Sequence, residues 1–233
     1  MLACLDHATR ASQHARVVGL TAGIAVLLRY DGPWADAITL HATAVQAARC
    51  LGDRPGQASA LHRLGDARRM TGDYPGAGQA LDEALGIYRD LGDRLGQANA
   101  LNGIGALRRE TGNYRAAAQA LREALDICGD LGNRGARAAA LNEMGTLQRV
   151  RGDLRQAEAH HQQALNLARE IGSTRDEAHA LAGLGRCALA AGDPAGAQAA
   201  LAQALGIFRQ TGAADAASVA TELDAITRAR PSA

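Results

Sequence analysis

Arginines at intervals of forty residues are the side chains of this sequence best suited to bind a ligand. They are Arg29, Arg69, Arg109 and Arg149, with Leu189 at the next position of the series. A guanidinium group donates paired hydrogen bonds to a carboxylate or a phosphate. If successive helices expose these positions on one face, the sequence predicts a row of anion-binding groups.

Two more series accompany the arginines at the same spacing. Seven residues before them lie Ala22, His62, Asn102, Asn142 and Ala182, and between the two series lie Val26, Asp66, Ala106, Thr146 and Arg186. An asparagine amide both donates and accepts hydrogen bonds, so a column of asparagines suits the backbone of an extended peptide. The predicted peptide groove is lined by Arg29, His62, Asp66, Arg69, Asn102, Arg109, Asn142, Thr146, Arg149 and Arg186.

A solvated face is the alternative interpretation of the same columns. Duplication copies a residue along a repeat whether or not the residue is used. The sequence also has no lysine, so arginine supplies all of its surface cations. Asp66 and Glu110 would then only neutralise neighbouring arginines.

No pattern in the sequence indicates catalysis or a bound metal. The absence of lysine excludes a Schiff-base lysine and the lysine of a phosphate-binding loop. His160 and His161 are adjacent, so they point to different sides of a helix and cannot share a metal ion as an i, i+4 pair would. No serine, histidine and aspartate share a column as a catalytic triad. We therefore expect a protein that is not an enzyme and uses no cofactor.

The composition narrows the class of protein further. The 233 residues carry a net charge of +1 and are 47% hydrophobic but only 3% aromatic. Balanced charge gives no indication of a nucleic-acid or membrane partner. The four cysteines form no CxxC pair, and Cys128 and Cys187 occupy core columns. Thiols that form no such pair suggest a reducing compartment. The N-terminus lacks the basic region of a signal peptide, so the sequence predicts a cytoplasmic protein.

Two columns of glycine show what must position the candidate groove. One holds Gly32, Gly72, Gly112, Gly152 and Gly192, and the other holds Gly52, Gly92, Gly132, Gly172 and Gly212. Apolar residues between them recur at helical spacing, as in Ala58, Leu61 and Leu64. Each glycine ends a helix, and a following residue such as Asp73 caps the next one. A helix pair cannot bury both of its faces, so neighbouring pairs must stack.

The repeated string resembles the tetratricopeptide repeat (TPR). It is carried by Leu61, Leu64, Gly65, Gly72, Asp73, Tyr74, Ala77, Leu81, Ala84 and Leu85, and it recurs forty residues later. The period exceeds the usual 34 residues, and Arg68, Arg108 or Gln148 stands where the family has tyrosine. This long variant is similar to the repeats of kinesin light chains and LGN-type adaptors. The stretch around Asp31–Asp53 is similar to the TPR region of SARP and NB-ARC (STAND) bacterial transcriptional regulators.

The resemblance implies an all-α, right-handed superhelical solenoid. We expect a helix or the remnant of a preceding domain at 1–16, a C-terminal capping helix with a tail at 213–233, and five repeats between them. The repeats are predicted at 17–53, 57–93, 97–133, 137–173 and 177–212. Val219, Leu223 and Ile226 suggest the capping helix, one residue out of register with the columns.

The resemblance also implies the function. The first helices of the repeats would line a concave groove that binds a protein or peptide segment, acidic to match the arginines, in bacterial signalling or transcriptional regulation. The alternative is a regulatory domain that senses a ligand or a signal peptide through a change in superhelix curvature; an enzyme is a third alternative, without a catalytic constellation. Self-association through the terminal repeats is a further hypothesis.

Overall fold

The computed structural model describes residues 15, 19 and 34–229, and residues 34–229 form ten helices without a strand. The helices are α1 (Trp34–Leu51), α2 (Arg54–Met70), α3 (Tyr74–Asp90), α4 (Arg94–Glu110), α5 (Tyr114–Asp130), α6 (Arg134–Val150), α7 (Leu154–Ile171), α8 (Thr174–Ala190), α9 (Pro194–Thr211) and α10 (Asp215–Ala229). The predicted N-terminal segment, the first helix of the first repeat and Arg29 lie outside the described residues.

The turns between these helices have the chemistry that the sequence predicts. The nine glycines with positive φ among the described residues have φ between 61° and 85°, a left-handed conformation that glycine adopts without strain. At the turn after α2, the Asp73 amide donates to the Arg68 carbonyl at 2.9 Å. The Asp73 carboxylate then accepts from the Gly76 amide at 3.0 Å and caps α3. Such a cap stabilises a helix by about 1 kcal/mol.

The chain divides into two compact units, Met1–Asn113 and Tyr114–Ala233, which we call unit 1 and unit 2. In unit 1, each of the helices α1–α4 packs against the next, and α2 also packs against α4. In unit 2, each of the helices α5–α10 packs against the next, and α6 also packs against α8. The described helices of each unit therefore contact near neighbours in sequence, as repeat proteins do.

Small residues let the helices of a pair approach closely. A Cβ atom added at Gly65 would lie 2.6 Å from Cγ of Leu81, and one added at Gly185 would lie 2.7 Å from Cγ of Leu201. The matching alanines of the second helices, such as Ala77 and Ala197, are fully buried. The glycine and alanine positions of the repeated string therefore lie where paired helices come closest.

The last helix completes the core of unit 2. Val219 and Ile226 of α10 are buried, and Leu223 packs beside them against a cluster that includes Phe208 and Leu205. The three residues that suggested a helix out of register with the repeats thus form its inner face. None of the described helices is long and apolar enough to cross a bilayer.

Candidate peptide-binding site

The arginines of unit 1 converge on one glutamate. Nη1 of Arg69 on α2 lies 2.6 Å from Oε1 of Glu110 on α4, and Nη2 of Arg109 lies 3.1 Å from the same oxygen. The side chains of Arg69, Arg109 and Glu110 are 17%, 16% and 22% exposed, respectively. We call these three residues the Arg–Glu–Arg cluster. It brings together two of the predicted groove residues around a shared carboxylate.

The expectation that these arginines are exposed is wrong for Arg69 and Arg109. Because α2 packs beside α4, the Arg69 side chain extends across to the neighbouring helix instead of into solvent. Glu110 forms ion pairs with both arginines, as the solvated-face interpretation proposed. The same contact leaves both guanidinium groups in a partly desolvated position, where a charge-assisted hydrogen bond is stronger than at an open surface.

Three further predicted residues lie on the same two helices. His62 and Asp66 are one helical turn apart on α2, with 3.5 Å between Nε2 and Oδ2, and Asp66 is 41% exposed. Gly103 on α4 leaves room for that carboxylate, since a Cβ atom there would lie 3.3 Å from Oδ1 of Asp66. Asn102 on α4 is partly buried, and its Oδ1 has no hydrogen-bond donor among the described residues. Unit 1 therefore presents an acid and an amide beside the Arg–Glu–Arg cluster.

The side chain of Asn142 in unit 2 is buried and already bonded within the protein. Its Nδ2 donates to the Asp176 carbonyl at 3.2 Å, and its Oδ1 lies 3.2 Å from Nδ1 of His161. A peptide could bind to this amide only by breaking both contacts. Thr146, also on α6, donates its hydroxyl to the Asn142 carbonyl at 3.0 Å, a local bond within the helix.

His161 is a core residue. It is 1% exposed and stands where Leu81, Leu121 and Leu201 stand in other repeats. Because the Asn142 amide nitrogen already faces a carbonyl, its Oδ1 is the acceptor, and His161 donates through Nδ1. Burial, with the charges of Arg149, His160 and Arg186, lowers the pKa of His161 to about 4.

Arg186 of unit 2 binds the last helix. Its Nε donates to Oε2 of Glu222 at 2.9 Å, and its Nη2 donates to Oε1 at 2.8 Å. Burial opposes the charge on Glu222, but the hydrogen bonds and charge of Arg186, with smaller effects of Ser218 and Arg149, bring the pKa of that carboxyl below its usual value. The sequence did not single out Glu222, because α10 departs from the register of the columns.

Cys128, Cys187 and His179 have structural surroundings. Cys128 and Cys187 are buried as predicted, and burial raises the pKa of both thiols, which keeps them protonated and unreactive. The ring of His179 packs edge-on against Phe208, with 5.2 Å between the ring centroids. Among the residues that the structure describes, no three His, Cys, Asp or Glu side chains are placed to hold a metal ion.

A family model described as "Tetratricopeptide repeat" matches the chain at residues 17–90, 58–130 and 136–210. These matches cover most of the sequence. The chain belongs to the tetratricopeptide repeat family. No curated protein sequence matches the chain.

Solved structures of TPR proteins share the fold. BtubC (BKLC) from P. vanneervenii has a TM-score of 0.66 at 22% identity, over 85% of this chain and 84% of that one. A Rap protein complexed with Competence and Sporulation Factor has a TM-score of 0.66 at 16% identity, over 97% of this chain and 69% of that one. The nearly identical TPR-like repeats of a Podosopora anserina putative kinesin light chain have a TM-score of 0.57 at 17% identity. The match covers 86% of this chain and 97% of that one.

These comparisons confirm the predicted family and the predicted all-α TPR solenoid with a C-terminal helix. They also include a kinesin light chain, one of the groups that the long period suggested. The similarity to SARP and NB-ARC regulators is not shown and stays a prediction. As a member of this family, the protein is a repeat scaffold of the kind that supports protein–protein interaction.

Proposed function

We propose that this protein binds an extended acidic segment of a partner protein, and that the binding site is the face of α2 and α4 in unit 1. The observation that carries the proposal is the Arg–Glu–Arg cluster. Two guanidinium groups already hold a carboxylate there, in a position partly shielded from water. An aspartate or glutamate of the partner would take the place of the Glu110 carboxylate.

The neighbouring side chains suit the backbone of such a segment. Asn102 has an acceptor without a donor among the described residues, and a backbone N–H of the partner would supply one. Asp66 is the most open of the charged groups beside it and offers a second acceptor. The face therefore combines one anion site with acceptors for N–H groups, which is what an extended peptide with one acidic side chain requires.

The predicted groove residues contribute unequally to this proposal. In unit 2, Asn142 and Arg186 are already bonded within the protein. Arg29 is outside the described residues. We therefore assign binding to His62, Asp66, Arg69, Asn102 and Arg109. A structural neighbour that is complexed with another molecule, the Rap protein with Competence and Sporulation Factor, supports a binding role for this fold. We place the interaction in bacterial signalling or transcriptional regulation in the cytoplasm.

A random-sequence peptide library tests this function. We expect selection on the intact chain to enrich peptides that contain aspartate or glutamate. A labelled selected peptide, followed by fluorescence anisotropy, should lose at least tenfold in affinity when Arg69→Gln and Arg109→Gln are combined. Arg54→Gln is the matched control, because Arg54 lies on the same helix and also forms an ion pair, at 2.8 Å to Asp90. Enrichment without acidic residues, or equal affinity in all variants, would overturn the proposal.

A further inference from the structure

A cleft of about 530 Å³ lies within unit 2, between α5, α6 and α7. None of its lining residues belongs to the predicted peptide groove. The lining includes Asp126, Gly129 and Asp130 of α5, Arg137 and Leu141 of α6, and His160 and Gln163 of α7. Asp130 already interacts with another group of the chain. Its volume lies within the range of sites that hold small molecules.

The corresponding space in unit 1 is filled by the chain itself. The positions eighty residues before Gly129, Arg137 and Gln163 are Arg49, Gln57 and Glu83. There, Nη2 of Arg49 lies 2.6 Å from Oε1 of Glu83, and Nε2 of Gln57 donates to that same oxygen at 3.0 Å. A guanidinium–carboxylate pair thus occupies the space between α1, α2 and α3.

A similar pair forms one repeat after the cleft. Arg169 and Glu177 stand forty residues after Gly129 and Arg137, and Nε of Arg169 donates to Oε1 of Glu177 at 2.8 Å. The repeat therefore closes this space with one cation and one carboxylate, although the carboxylate comes from a different helix in each case.

The cleft lacks both members of that pair. Gly129 replaces the arginine, and a Cβ atom added there would meet nothing within 4 Å. Gln163 stands where unit 1 has Glu83. Arg137 stands where other repeats have Gln57 or Glu177, so the cleft has a cation at a position where the next repeat has the carboxylate of its ion pair. Arg137 forms no ion pair within the part of the chain that the structure describes.

Two more departures from the repeat add polar groups to the same cleft. His160 stands where Ala80, Ala120 and Ala200 stand elsewhere, and its buried Nδ1 has no hydrogen-bond partner among the described residues. Asp126 is exposed and replaces Gly86 and Gly206. The cleft thus has a cation and a ring nitrogen, with the carboxylates of Asp126 and Asp130 on its α5 side and the apolar Leu141 also in its lining.

We propose that this cleft binds a small zwitterion of the free amino-acid class. The ligand carboxylate pairs with Arg137, and its ammonium group faces Asp126. A bare anion would be repelled by Asp126 and Asp130, and a bare cation would be repelled by Arg137. Because Asp130 already interacts within the chain, Asp126 and Arg137 are the charges left to a ligand, and a ligand that carries both charges fits the cleft better than either. This site is separate from the proposed peptide-binding residues, and either proposal can fail without the other.

Isothermal titration calorimetry of the intact chain with each proteinogenic amino acid at millimolar concentration tests the proposal. We expect at least one to bind, and we expect Arg137→Gln to weaken it at least tenfold. Gly129→Arg should abolish binding by filling the cleft, and His160→Ala should weaken it. Each variant restores a residue that other repeats carry, so each should fold, which circular dichroism checks. Arg122→Gln, on an exposed part of α5, is the control.

Analogues of the bound amino acid test the requirement for both charges. The matching amine without the carboxylate and the matching acid without the ammonium group should each bind at least tenfold more weakly. Absence of binding by any amino acid, or equal affinity in Arg137→Gln, would overturn the site. If the acid without the ammonium group binds as tightly as the amino acid, the proposed requirement for both charges is overturned.

Discussion

Glu110 acts as an internal competitor for the ligand that we propose. Its carboxylate lies within 2.6 Å of Arg69 and 3.1 Å of Arg109, the positions that an acidic side chain of a partner would occupy. Bound to both arginines, it also removes the cost of leaving two partly buried cations without an anion. The same residue therefore stabilises the free protein and weakens binding.

Replacing Glu110 by glutamine should have opposite effects on these two properties. We expect Glu110→Gln to raise the affinity for an acidic peptide severalfold, because the peptide no longer displaces a carboxylate. The free energy of unfolding should fall by about 1 kcal/mol. Fluorescence anisotropy and urea denaturation measure the two effects. Glu83→Gln is the control, since Glu83 also binds an arginine but lies outside the site; a loss of affinity in Glu110→Gln would contradict the competition.

Two buried histidines should make the stability depend on pH. Burial and Arg63 lower the pKa of His41 to about 4, and burial with Arg149 lowers that of His161 to the same value. Between pH 6.5 and 4 the unfolded state binds more protons than the folded state, so stability falls as the pH falls through this window. Each histidine accounts for a loss of about 3 kcal/mol when the fall is complete.

A double variant isolates the part of this pH dependence that is due to His161. Asn142→Ala with His161→Leu recreates the pair Ala182 and Leu201 of the next repeat, so the core should remain filled. We expect urea denaturation at pH 7 and pH 4.5 to show a clearly smaller difference than in the unmodified protein. His41 retains its own contribution. An unchanged difference would mean that His161 is not responsible.

At the scale of the helices, glycines that look alike in the sequence should respond differently to substitution. Gly65 packs against the fully buried Leu81, with no room for a methyl group. Gly86 is exposed on α3, and a Cβ atom there would meet nothing within 4 Å. We expect Gly65→Ala to destabilise by about 1–3 kcal/mol through overpacking. Gly86→Ala should stabilise by up to about 1 kcal/mol through helix propensity. Thermal denaturation compares them, and equal effects would contradict the packing.

Those helices and turns were predictable, because each depends on residues close together in the sequence. Gly72 and Asp73 determine a turn and a cap within a few positions, and the alanine and leucine columns repeat the pattern often enough to identify it. The candidate site was less predictable. The exposure of Arg69 depends on Glu110, which lies 41 residues later and outside the columns that we followed. His161 could have been recognised as a core residue from the leucines of its column.

At the scale of the whole molecule, packing between near neighbours should confine the effect of damage. Val219 is fully buried beside the core residues at the end of unit 2. We expect Val219→Asp to increase hydrogen exchange in α9 and α10, while α2 and α3 keep the protection of the unmodified protein. Hydrogen exchange followed by mass spectrometry measures this. A uniform loss of protection over the described helices would contradict neighbour-limited stability.

A double-mutant cycle between Arg69 and the acidic residue of a selected peptide tests the central claim most directly. The two single changes are Arg69→Gln in the protein and glutamate to glutamine in the peptide. If the two groups pair, the second change should have at least fivefold less effect on affinity after the first than alone. If the two effects simply multiply, Arg69 does not contact the acidic residue and the proposed site is wrong.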